Sequence, residues 1–132
     1  MGMPAAAQNA SVIAVDTHIV MVPTPGGPVP TPLPHPFSGM IDAATEQTVK
    51  IGGQPAAVQD STASNQPQHI ATPPGTSFQK PPANQGKVFL TSMTVKIGGK
   101  GAARNADMVE TCNDPADLPV GQIIAGGTVL IG

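Results

Sequence analysis

The pattern Thr-Val-x-Ile-Gly occurs three times in this chain, at Thr48–Gly52, Thr94–Gly98 and Thr128–Gly132, and the first two copies share a further glycine, Gly53 and Gly99. A repeat this short cannot bury a face alone, so its copies must pack on one another. Valine and isoleucine fall on one face of such a segment, with Thr and Lys on the other, which predicts a strand in each copy. The glycines that follow let the chain reverse. Two residues after each of the first two copies comes an Ala-Ala step, Ala56-Ala57 and Ala102-Ala103. The expected architecture is mainly β: one domain over residues 1–132 with pseudo-threefold packing of three related units.

Further short β-branched runs predict strands at Ser11–Val15, Ile19–Val22, Val88–Thr91 and Gln122–Ala125. A hairpin is expected before each repeat, at Ala44–Gln47, Leu90–Met93 and Ala125–Gly127, and no stretch sustains a helical period. Prolines crowd Val22–Phe37; because they fix φ and remove donors, this segment is expected as a polyproline-II-like loop outside any ladder. Residues 61–86, rich in Ser, Thr, Pro, Gln and Asn, are expected as a polar loop around His69. The domain is thus read with loop insertions at about 22–40 and 61–86.

Aromatic residues are only 2% of the chain, with no Trp or Tyr, so a large conventional core is not expected. Charged residues are 11%, well below the roughly 25% of an ordinary domain, which suggests that a partner covers part of the surface. The net charge of -2 and the absence of a Lys/Arg stripe disfavour nucleic acid. No Lys or Arg precedes Lys50, so no secretory signal is read, and synthesis in the cytoplasm is expected. A single cysteine cannot form an intrachain disulfide; it suits a reducing compartment or a metal thiolate.

His18, His35, His69 and Cys112 together make one tetrahedral zinc set. Their spacing matches no local zinc signature, and composition alone favours ordinary histidines and a buried cysteine. The repeats shift that balance, because a chain poor in aromatics needs another source of cohesion and a metal can join distant loops.

Met3-Pro4-Ala5-Ala6, Gln54-Pro55-Ala56-Ala57 and Lys100-Gly101-Ala102-Ala103-Arg104 resemble degenerate copies of the Pro-Ala-Ala-Arg motif of PAAR-repeat proteins. In that family a Thr-Val-x-Ile-x-Gly strand precedes each motif, a Gly-Asp follows it, and Thr-Val-Leu-Ile-Gly closes the domain. Here Asp60 and Asp107 follow the second and third copies, and the closing segment is present. Ala7 or Ala6, Val58 and Gly101 depart from the pattern, standing where the family has Arg, Arg and Pro. The long proline-rich stretch is similar to that of the longer PAAR-like variants.

The resemblance implies a small cone with one structural zinc near its point, bound by His18, His35, His69 and Cys112. It implies a spike tip on the trimeric β-helical spike protein of a contractile injection machine, either type VI secretion or a phage-tail-like particle. Such a tip pierces envelopes in transient contact with the target membrane, and some members carry effector cargo. The chain ends directly after the last repeat, so a tip without an appended toxin domain is expected. The alternatives are a small zinc-binding adaptor that presents its PxxP-like prolines to a partner, and a zinc hydrolase. No HExxH is present, and Glu110-Thr111-Cys112-Asn113-Asp114 matches no nucleophile signature, so no enzyme is expected.

Overall fold

A computed structural model describes residues 2–132. Among these residues every regular element is a strand: β1 (Met3–Pro4), β2 (Ser11–Val22), β3 (Val29–Ala43), β4 (Glu46–Ile51), β5 (Gln54–Ala56), β6 (Thr62–Asn65), β7 (Ser77–Phe78), β8 (Gln85–Val88), β9 (Lys96–Ile97), β10 (Lys100–Gly101), β11 (Met108–Thr111), β12 (Leu118–Ile124) and β13 (Leu130–Ile131). Six of them run in the order β12-β11-β8-β6-β3-β2, and β12 also pairs with β2, so the sheet closes into an antiparallel barrel. Closure removes edges that would otherwise attract other chains.

Alternation along the strands sorts residues between the bore and the outside. On β2 the even positions Val12, Asp16, His18 and Val20 are buried, and on β3 the odd positions His35, Phe37 and Ile41 are buried. The bore is narrow: a Cβ on Gly86 would meet the side chains of Val109, Thr111 and Phe37. Glycine there leaves room for the Phe37 ring. Val12, Ile41, Ala63, Val88, Val109 and Ile123 pack around Phe37 as one apolar cluster.

The proline-rich segment departs from the polyproline-II expectation. Val29–Ala43 forms the longest strand, paired with β2 from Val22↔Val29 to Ser11↔Met40. The reason is parity. Pro30, Pro32, Pro34 and Pro36 stand opposite Met21, Ile19, Thr17 and Val15. The backbone groups of these odd β2 residues point away from β3: Thr17 N–H donates to Asn113 Oδ1, Ile19 N–H to Asp114 Oδ2, and the Met21 carbonyl accepts Thr76 N–H. Every proline therefore occupies a non-hydrogen-bonded pair and removes no donor from the β2–β3 ladder. β6 pairs with β3 only from Gly39 onward, so the prolines line the part of β3 that lies beyond this neighbour.

At the apolar end of the barrel the three Ala-Ala steps meet. Ala57 N–H donates to the Ala6 carbonyl (3.1 Å), Ala103 N–H to Ala57 (3.1 Å) and Ala6 N–H to Ala103 (2.9 Å), which closes a cycle. Isolated bridges follow the same order, Ala7↔Ala56, Val58↔Ala102 and Ala5↔Arg104. All three central alanines are fully buried, and a larger side chain would not fit where three backbones converge.

After each step comes a residue of positive φ: Asn9, Asp60 or Ala106. Its N–H donates to the carbonyl of a buried barrel residue, respectively Ile41, Val88 and Ile123. The N–H of that barrel residue donates back to Ala10, Ser61 or Asp107. Three equivalent clamps thus fix the ring to the barrel.

Three two-stranded ribbons run into the ring. β4–β5 and β9–β10 turn through Gly52-Gly53 and Gly98-Gly99, whose positive φ values suit two-residue hairpins. The third, β1–β13, joins residues near the two ends of the described chain. One isoleucine from each repeat, Ile51, Ile97 and Ile131, packs with Ala5, Ala102 and Val95 in a second apolar cluster.

Other expected elements shift. The runs at Ser11–Val15 and Ile19–Val22 join through His18 into one strand. Val88–Thr91 keeps only Val88 in β8, and the 61–86 segment contains β6, β7 and the start of β8. β4 pairs with β5 and β9 with β10, so these two ribbons reverse at the glycine pairs, as the glycines predict, and not at Ala44–Gln47 or Leu90–Met93.

Candidate metal centre

The end of the barrel opposite the ring is polar. β2 supplies Asp16 and His18, β3 supplies His35, the segment between β6 and β7 supplies His69, and the turn after β11 supplies Cys112. The fold thus brings together His18, His35, His69 and Cys112, the four residues singled out in the sequence, and adds Asp16 to them.

One potential ligand atom from each of Asp16, His18, His69 and Cys112 lies within 4.8 Å of the others. Asp16 Oδ2 is 2.9 Å from His69 Nε2 and 3.5 Å from Cys112 Sγ, and Cys112 Sγ is 3.7 Å from His18 Nε2. Asp16 is fully buried, and the side chains of His18 and His69 are 1% and 3% exposed.

His35 is buried beside this group, its ring centroid 5.4 Å from that of His18 and 5.6 Å from that of His69. Both of its nitrogens already have partners: Nδ1–H donates to the Leu33 carbonyl (2.9 Å), and Nε2 accepts Thr72 N–H (3.1 Å). Phe78 packs against His18 and His35, and Phe37 lies near His69, so apolar rings wall the polar cluster.

Burial sets the electrostatics. It lowers the His18 pKa, against a smaller opposing effect from the Asp114 carboxylate. It lowers that of His35 too, opposed by the hydrogen bond to Leu33. The Cys112 thiol is pushed up to about 11, first by burial and then by the Asp16 carboxylate. At neutral pH His18 is therefore a neutral imidazole with a lone pair to give, and Cys112 a thiol whose proton a bound cation would displace.

Two histidine nitrogens, a carboxylate oxygen and a sulfur in a buried cluster are a donor set suited to zinc, and the cluster can hold a metal ion. One buried polar atom of the group, His18 Nδ1, has no hydrogen-bond partner, which costs free energy. Sequence reading missed Asp16. Its signal was the Asp16-x-His18 spacing, which puts a carboxylate on the inward face with the histidine.

The chain matches no protein-family model and no curated protein.

Proposed function

We propose that this chain is the spike tip of a contractile injection machine, kept rigid by a structural zinc at the polar end of its barrel. The observation that carries this reading is the cyclic junction of the three Ala-Ala steps. Repeat positions pair head to tail, which supports reading the three ribbons as related units around one axis. A pseudo-threefold base of this kind is what a single polypeptide needs in order to cap a threefold spike. The pseudo-threefold cone of PAAR-repeat proteins has this organisation, and the motifs at Pro4–Ala6, Pro55–Ala57 and Gly101–Arg104 stand at the junction.

Zinc bound through Asp16, His18, His69 and Cys112 would fill four positions with protein ligands, as a structural site requires. It would tie β2, the segment before β7 and the turn after β11, and so stiffen the end that has no backbone ring. Burial holds the Cys112 thiol protonated in the absence of metal, which supports a ligand role over a nucleophilic one. The adaptor reading draws less support, since the prolines from Pro30 to Pro36 are engaged in the β2–β3 hairpin.

The test is assembly. The chain is coexpressed with the trimeric β-helical spike protein of its own machine, and the mass of the purified complex is measured by light scattering. One chain per spike trimer is expected. Equal numbers of both chains, or no complex, would contradict the reading.

A further inference from the structure

His18 has two nitrogens in unlike surroundings. Nε2 faces the cluster, 3.7 Å from Cys112 Sγ. Nδ1 is buried without a hydrogen-bond partner, and 3.5 Å from it lies Oδ2 of Asp114. That carboxylate is itself only 6% exposed.

Its position is fixed by the strand that carries the histidine. Oδ2 accepts Ile19 N–H (2.9 Å), and the backbone N–H of Asp114 donates to the Thr17 carbonyl (2.8 Å). Asp114 thus brackets His18 from both sides along β2. Neighbouring Asn113 reinforces the clasp by accepting Thr17 N–H through Oδ1. A buried carboxylate next to an unsatisfied imidazole nitrogen favours the tautomer whose proton sits on that nitrogen. The lone pair is then left on Nε2, the atom that faces Cys112.

We propose that Asp114 is the positioning residue of the metal centre: its carboxylate keeps the proton on His18 Nδ1 and aims Nε2 at the ion. This rests on the reading of the cluster as a zinc site. Asp114 does not touch the ion; it acts through His18. The related carboxylate Asp16 has a different place, since its oxygen lies among the ligand atoms.

The experiment compares full-length wild-type protein with Asp114→Asn by zinc competition against a chromophoric chelator, with thermal unfolding of both metal-free proteins alongside. Asparagine keeps an oxygen for Ile19 N–H but loses the charge that holds the Nδ1 proton. A zinc affinity about 10- to 100-fold weaker, with metal-free unfolding unchanged, is the expected result. Equal affinity in the two proteins overturns the assignment of Asp114 while leaving the zinc site intact. A wild-type protein that binds no zinc overturns both.

Nitrogen-15 spectra of zinc-loaded wild-type protein give an independent reading should the variant not fold. A protonated His18 Nδ1 is expected. A metal-bound Nδ1 would refute the proposal.

Discussion

At one end of the barrel Ala6, Ala57 and Ala103 close the bore with a cycle of backbone hydrogen bonds, and at the other Asp16, His18, His69 and Cys112 converge with side chains alone. The first closure is complete as it stands, since each amide has its carbonyl. The second leaves His18 Nδ1 without a partner and presses a carboxylate, two imidazoles and a thiol together. Backbone closure asks only for small residues and is indifferent to pH and metal. Side-chain closure depends on both. The two ends should therefore respond to different perturbations.

The largest effect is expected at the polar end. In zinc at a thousandfold excess over the dissociation constant, Cys112→Ser should forfeit on the order of 4 kcal/mol of stability, measured by denaturant unfolding. The same substitution in metal-free protein should cost far less. Asp16→Asn should also lose metal, whereas His35→Ala should retain more of it, because both His35 nitrogens are already engaged. Greater metal loss in His35→Ala than in Asp16→Asn would place His35 among the ligands instead.

The ring should give the converse result. Ala57→Leu forces a branched side chain between three backbones and should cost about 1–3 kcal/mol, to the same extent with and without zinc. A zinc-dependent cost would mean that the ends are coupled.

Metal-free protein should be most stable between pH 6.5 and 9. Burial lowers the His18 and His35 pKa values, so the unfolded chain takes up protons first, and stability falls as the pH drops below the ordinary histidine value of about 6.5. The Cys112 thiol has the opposite sign. Its pKa rises from 9.0 to about 11, so the unfolded chain releases its proton first, and stability falls as the pH climbs through that window. The alkaline loss should be on the order of 2 kcal/mol and absent from Cys112→Ser. Zinc loading should remove it.

The smallest effect concerns the β2–β3 hairpin. Pro32→Thr adds a donor on the side away from β2 and should change stability by no more than about 0.5 kcal/mol. Leu33→Pro, one residue along, deletes a donor directed at β2 and should cost about 1–3 kcal/mol. Equal effects would show that the parity of the prolines does not govern this strand.

The repeats made much of one end legible. Gly52-Gly53 and Gly98-Gly99 announced their hairpins, and the Ala-Ala steps marked places where backbones must approach. The proline-rich strand was hidden because a single proline argues against a ladder, and only its neighbour's pattern shows that alternate prolines all face away. His18, His35, His69 and Cys112 could be singled out as scarce residue types, and the fold does gather them. Asp114 could not, because acidic residues are usually solvated and nothing local marks it as buried, and Asp16 offered only its spacing to His18. Their places come from the docking of residues 111–114 on β2, a contact between residues 95 positions apart.

The central claim is that an ion completes the polar end. Elemental analysis of purified protein, with thermal unfolding before and after chelation, tests it most directly. About one zinc per chain is predicted, together with a fall in unfolding temperature on chelation that zinc alone restores. A stable protein without bound metal, whose unfolding neither chelator nor zinc alters, would contradict it.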